Sequence, residues 1–111
     1  MAEPRRFYEE EYVHPAYPLS EEVQDLLDRW VWNLETELEL VWRGYQEVAK
    51  KSPEFAPLHA AEVIKVYGAL DFLMRQMRFW APLVRKSILR RWEKSGFKNL
   101  LWEISEKLYV Y

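Results

Sequence analysis

Residues 20–52 read SEEVQDLLDRWVWNLETELELVWRGYQEVAKKS. Ser20 is a good helix N-cap, and Glu21 and Glu22 follow in the first turn, where the helix dipole favours anions. Val23, Leu27, Trp30, Leu34, Leu38, Val41, Tyr45 and Val48 then recur at spacings of three and four, which lays one apolar stripe along a helix. Pro53 ends it at Ser52, because the residue before a proline is pushed out of helical geometry. A run of about 30 residues is long for a globular helix, so Asn33 and Gly44 mark where it would bend. Leu26, Trp32, Leu40 and Trp42 lie off the stripe. A second apolar strip needs a second partner, either another helix of this chain or another copy of it.

The same reading carries through the rest of the chain. A second helix is expected over about residues 58–80, with Val63, Val66, Tyr67, Leu70, Leu73, Met74, Met77 and Trp80 on its buried stripe. Gly68 sits inside it at a cost of roughly 1 kcal/mol relative to Ala, which a close helix–helix contact would offset. Pro82 suits the first turn of a third helix. Ser95-Gly96-Phe97 ends that helix, with Gly for the left-handed position and Phe for the apolar contact beyond it. A last helix over about residues 98–109 would bury Leu100, Leu101, Ile104 and Leu108. No alternating strand pattern and no hairpin turn signal occurs. The expected fold is an all-α bundle of about four helices spanning residues 20–111. Residues 1–19 carry Pro4, Pro15 and Pro18 among aromatic rings, and read as an extended arm.

Composition bounds what such a bundle does. At 111 residues, half hydrophobic and 31% charged, the chain is long enough for one self-sufficient core. It contains no cysteine, which removes disulfides, thiolate nucleophiles and thiolate metal sites together. No apolar run approaches the roughly 20 residues of a membrane span, and the N-terminus lacks the apolar core of a signal peptide. An intracellular or virion location is therefore expected. Asn and Gln are scarce while Glu, Lys and Arg are abundant, a balance that fits a thermophilic source. The chain also holds six tryptophans and seven tyrosines. So small a core would not hide them all, and some are expected at an interface: Phe7, Tyr8, Tyr12 and Tyr17 from the arm, Trp32 and Trp42 from the first helix.

Charge is divided unevenly. Residues 1–60 carry 13 acids and 6 bases, whereas residues 61–111 carry 5 acids and 10 bases. The basic half is densest at residues 75–94, RQMRFWAPLVRKSILRRWEK, with seven cations against the single anion Glu93. At 100° per residue, Val84, Ile88, Leu89 and Trp92 cluster within about 100° of Arg85, forming the buried face of the third helix. Lys86, Arg90 and Lys94 fall on the opposite side at i, i+4 and i+8, with Arg91 beside them. Like charges at this spacing repel and weaken a helix only slightly, so the pattern permits a function without demanding one. Three readings follow: a solvated face, a surface that tracks phosphates without reading bases, or a dock for an acidic protein surface. Arg78 would join the ridge, and Lys98 and Lys107 would extend it. Arg75 has its own partner in Asp71, four residues earlier.

Catalytic signatures are missing. His14 and His59 have no second histidine or carboxylate at ligand spacing, so no metal site is expected. The isolated glycines form no phosphate loop, and the serines belong to no serine–histidine–acid arrangement. Glu35, Glu37 and Glu39 spread over different helix faces. The helical-bundle HEPN ribonucleases need an Arg followed within a few residues by a His, and no Arg here is so placed. No cofactor and no small-molecule substrate is implied.

In layout, an N-terminal arm followed by a helical bundle with a basic face, the chain resembles coat proteins of filamentous viruses from hyperthermophilic archaea. In size it is similar to the small helical subunits of CRISPR effector complexes. Neither resemblance includes a shared motif, so neither assigns a role to any residue. Both imply a non-enzymatic subunit of a larger assembly, self-associating or joined to other subunits, that contacts nucleic-acid backbone regardless of sequence. The alternative is a helical interaction module whose basic half docks an acidic protein.

Overall fold

A computed structural model describes Tyr8 and residues 19–108 of the chain. Four helices follow one another: α1 (Glu21–Lys51), α2 (Ala56–Trp80), α3 (Pro82–Ser95) and α4 (Phe97–Leu108), with a single 3₁₀ turn, Pro53–Phe55, between α1 and α2. Among the described residues there is no strand. The all-α bundle expected from periodicity is the fold observed.

Each boundary has a local cause. Ser20 caps α1, its Oγ accepting from the Val23 N–H at 3.3 Å, and Gln24 Nε2 donates back to the Leu19 carbonyl at 3.0 Å. Ser52 leaves helical geometry immediately before Pro53, as steric conflict with the proline ring requires. Ala81 breaks the path between α2 and α3, and Pro82 opens α3 where no amide hydrogen is needed. Gly96 ends α3 at φ 81°, a left-handed conformation that residues other than glycine rarely adopt. The apolar contact beyond that stop is made: the Phe97 ring lies 5.1 Å from that of Trp92.

α1 runs unbroken through Asn33 and Gly44 and pairs along its length with α2, the largest helix contact in the molecule. The short connection between them makes the pair antiparallel. α3 packs on both, and α4 packs on α3. The core takes Val31, Leu38 and Trp42 from α1, Val63, Tyr67, Leu70, Met74 and Met77 from α2, Ile88 and Trp92 from α3, and Leu101 and Ile104 from α4. Leu100 and Leu108 pack at its edge.

Most of the expected stripe of α1 faces the core: Leu27, Leu34, Leu38, Val41 and Tyr45. Val23 and Trp30 are exposed, Trp30 by 55%, and Val31 is buried in place of Trp30. Both positions satisfy the spacing of three and four, and neighbouring stripes on one helix share that spacing. What selects between them is α2 and α3. Trp80 is likewise exposed at the end of α2. Trp42, expected to face another copy, is instead 3% exposed, stacked on Tyr45 at a 5.4 Å centroid separation with Lys107 Nζ 5.8 Å from its ring. Tyr8, also expected at an interface, is buried in this chain's own core. Phe7, Tyr12 and Tyr17, and the rest of the expected arm, lie outside the described residues.

Gly68 shows no close helix contact: a Cβ placed there would meet nothing within 4 Å. It lies on an outward face of α2 that also presents Leu58, Ile64, Phe72 and Phe79 to solvent. No helix among the described residues is long and apolar enough to cross a membrane.

Candidate nucleic-acid interface

α3 is the element that carries the cationic residues, and its rotation decides what each of them does. Arg85, Ile88, Leu89 and Trp92 face inward, as the helical wheel anticipates. Arg85 is buried among them and donates from Nε to the Met74 carbonyl on α2 at 3.0 Å. Its aliphatic stem fills apolar space while its head reaches a polar group, so it serves the join between α2 and α3.

On the side opposite this buried face, Arg90 and Lys94 are exposed and Lys86 is half-exposed. None of the three forms an ion pair with a carboxylate among the described residues. The contrast with other cations is direct. Lys51 pairs with Glu47 at 3.0 Å, Arg75 with Asp71 at 2.5 Å and Lys107 with Glu103 at 3.1 Å. The Arg75 pair is the one its i,i+4 spacing predicts.

Arg91 departs from the expected ridge. It lies between the outer face of α3 and the buried face, and it turns toward α1. Its Nη1 donates to Asp28 Oδ1 at 2.9 Å and its Nη2 to Glu35 Oε2. Two carboxylates thus neutralise the guanidinium, and it is not available to a phosphate. Its planar fork suits a site with two acceptors two turns apart on one helix face. Cζ of Arg91 also lies 5.5 Å from the centroid of the Trp32 ring, within cation–π range. Trp32 itself is 57% exposed.

Glu35 is the acid that sequence reading passed over. It occupies a position in the buried stripe of α1, and is only 7% exposed. Burial raises its pKa above the ordinary carboxylate value, and the charge of Asp28 adds to that. The Trp92 indole and the Arg91 guanidinium favour the charged form and hold the rise back. A signal for the site was present. Glu35 interrupts the apolar run Leu27, Val31, Leu34, Leu38, and Asp28 precedes it by seven residues, two turns along the same face. An acid inside an apolar stripe needs a cation from another helix.

Two surface depressions flank Arg91. One, of about 510 Å³, is lined by Ser87, Arg90, Arg91, Lys94 and Ser95. The other, of about 290 Å³, is lined by Gln24, Asp25, Asp28, Leu83, Val84, Ser87 and Arg91. The first offers cationic heads and hydroxyl donors, and the second offers carboxylates. Arg78 and Lys98 line neither. Arg78 is half-buried on α2 with its guanidinium 5.0 Å from the Phe79 ring, and Lys98 is half-buried in the first turn of α4. Among the described residues no group of three His, Asp or Glu side chains is placed to hold a metal ion. Neither a protein-family model, nor a curated protein, nor a solved structure matches this chain.

Proposed function

We propose that the chain is a non-enzymatic structural subunit of a larger assembly that contacts nucleic-acid backbone through the outer face of α3. The observation that carries this reading is the row Lys86, Arg90, Lys94, none of which forms an ion pair with a carboxylate among the described residues, although Glu93 on the same side of α3 offsets one of its charges. Three cations on successive turns hold one another at like-charge separation. A strand whose phosphates these cations neutralise releases the counterions condensed on it, and that release favours binding. Such contacts position a strand without reading its bases.

The assembly part of the reading rests on α2. Leu58, Ile64, Phe72 and Phe79 are exposed on its outer face, although the opposite face of the same helix fills the core. Glu62 and Lys65 are exposed beside them, so the face is mixed, and its large apolar side chains are the part that suits a partner. That face also favours the second reading, an interaction module in which the basic ridge docks an acidic protein.

Salt dependence separates the two. With three phosphate contacts, log K against log salt should have a slope of about −2 for a single strand and about −3 for duplex. The triple variant Lys86→Glu, Arg90→Glu, Lys94→Glu should abolish binding to random-sequence nucleic acid while its helical circular dichroism stays that of the parent. Equal binding by parent and triple variant would remove α3 as the site.

A further inference from the structure

We infer that the nucleic acid met by α3 is single-stranded, with Trp32 as the stacking platform for one of its bases. This rests on the phosphate-contact reading of the ridge and narrows it to one class of strand.

Trp32 is a large indole left more than half in water, on a side of α1 that takes no part in the core. Its surroundings are ordered nonetheless. The Arg91 guanidinium lies 5.5 Å from the ring centroid, and Arg91 is itself fixed by Asp28 and Glu35. The ring therefore meets a cation whose position is set by two carboxylates, one of them buried. A guanidinium held against the ring restricts its motion, which lowers the entropy cost of stacking on it.

Arg91 also lines the cationic depression with Ser87, Arg90, Lys94 and Ser95. One residue thus joins an exposed aromatic ring to a group of phosphate-binding side chains. Aromatic rings beside a cationic groove are the arrangement by which proteins hold single strands, because every unpaired base offers a flat face to stack. A duplex hides those faces between neighbouring pairs and gains nothing from Trp32.

The acids define the path. Asp25 and Asp28 line the adjoining depression, where they repel a phosphodiester. Phosphates are thus confined to the Arg90 and Lys94 side, and a base reaches Trp32 across Arg91. Arg91 adds no phosphate contact in this arrangement.

The test uses the full chain with two fluorescent probes, a thymidine homopolymer and a mixed-sequence duplex of equal length, followed by anisotropy. Trp32→Ala should weaken single-strand binding about tenfold and leave duplex binding unchanged. Trp32→Phe, which keeps a flat ring, should recover most of the loss. Circular dichroism should show both variants folded, since the ring is not part of the core. Single-strand affinity unchanged in Trp32→Ala would overturn the stacking role, as would equal losses for both probes. If the parent binds duplex through the ridge and Trp32→Ala is silent on the single strand, stacking fails while the phosphate reading survives. If the parent binds neither probe, the phosphate reading itself fails.

Discussion

The two sides of α3 hold the same residue types in opposite circumstances. Toward α1, Arg91 meets two carboxylates, an indole and the edge of the core. On the outer face, Arg90, its immediate neighbour in sequence, is exposed and unpaired among the described residues. One step of 100° about the helix axis separates a seam charge from a ridge charge. The comparison shows that a count of basic residues does not measure a basic surface. A cation belongs to the fold when a buried acid on another helix requires it, and is left to solvent or a partner when none does.

The largest effect should come from the floor of the seam. Trp92 is fully buried, adjoins the Phe97 ring and lies beside Glu35. Trp92→Ala should cost about 3–5 kcal/mol, the lost burial plus the cavity left behind. Chemical denaturation should show it as a lower midpoint with a similar slope. A cost under about 1 kcal/mol would mean that α3 does not rest on this ring.

The two adjacent arginines give the next contrast. Arg91→Ala leaves Glu35 buried beside Asp28 with no guanidinium, and should destabilise the chain by about 1–3 kcal/mol. The upper range for breaking a fully buried pair does not apply, because the Arg91 side chain is 32% exposed. Arg91→Lys should recover only part of the loss, since an ammonium does not span two acids as a planar fork does. Arg90→Ala should stay within about 0.5 kcal/mol of the parent, yet weaken the nucleic-acid binding proposed for the ridge. Similar stability losses for Arg90→Ala and Arg91→Ala, measured in the same denaturant series, would erase the distinction between seam and ridge.

That distinction was only half legible in the sequence. Local signals located the helices, because the causes of their ends are local: Ser20, Ser52-Pro53, Pro82 and Gly96 act through their own backbone geometry. Periodicity found the inward faces of α2 and α3 for the same reason. On α1 it places Trp30 where Val31 is buried, because both fit a helical repeat, and only the position of α2 and α3 decides which is covered. Trp42 was misread with it, as an interface residue in place of a core one. The ridge was legible as i,i+4,i+8 spacing. Removing Arg91 from it required knowing that Asp28 and Glu35 lie across from α3, a contact 56 to 63 residues distant in sequence. No helical wheel drawn for one segment contains that information. The acid in the apolar stripe hinted at it without naming the partner.

The smallest effect sharpens the seam through pH. Burial lifts the Glu35 pKa in the folded chain above its ordinary value of 4.5, against the opposing pull of Trp92 and Arg91. Folded protein thus holds a proton at pH values where the unfolded chain has released it. Stability from this group is complete below the unfolded value and declines as pH rises through the folded one. Glu35→Gln removes the titration and keeps an amide oxygen that Arg91 reaches. As pH rises from below the ordinary carboxylate value through the raised folded one, the parent should therefore lose more stability than Glu35→Gln, whatever their difference at either end. The measurement is a pair of denaturation midpoints for each protein across that interval. If the two decline in parallel, Glu35 titrates as an ordinary carboxylate, and Arg91 offsets its burial in full. If the parent gains relative to Glu35→Gln, the ion pair outweighs burial, and the seam is an electrostatic clasp more than a buried acid kept in place by its neighbours.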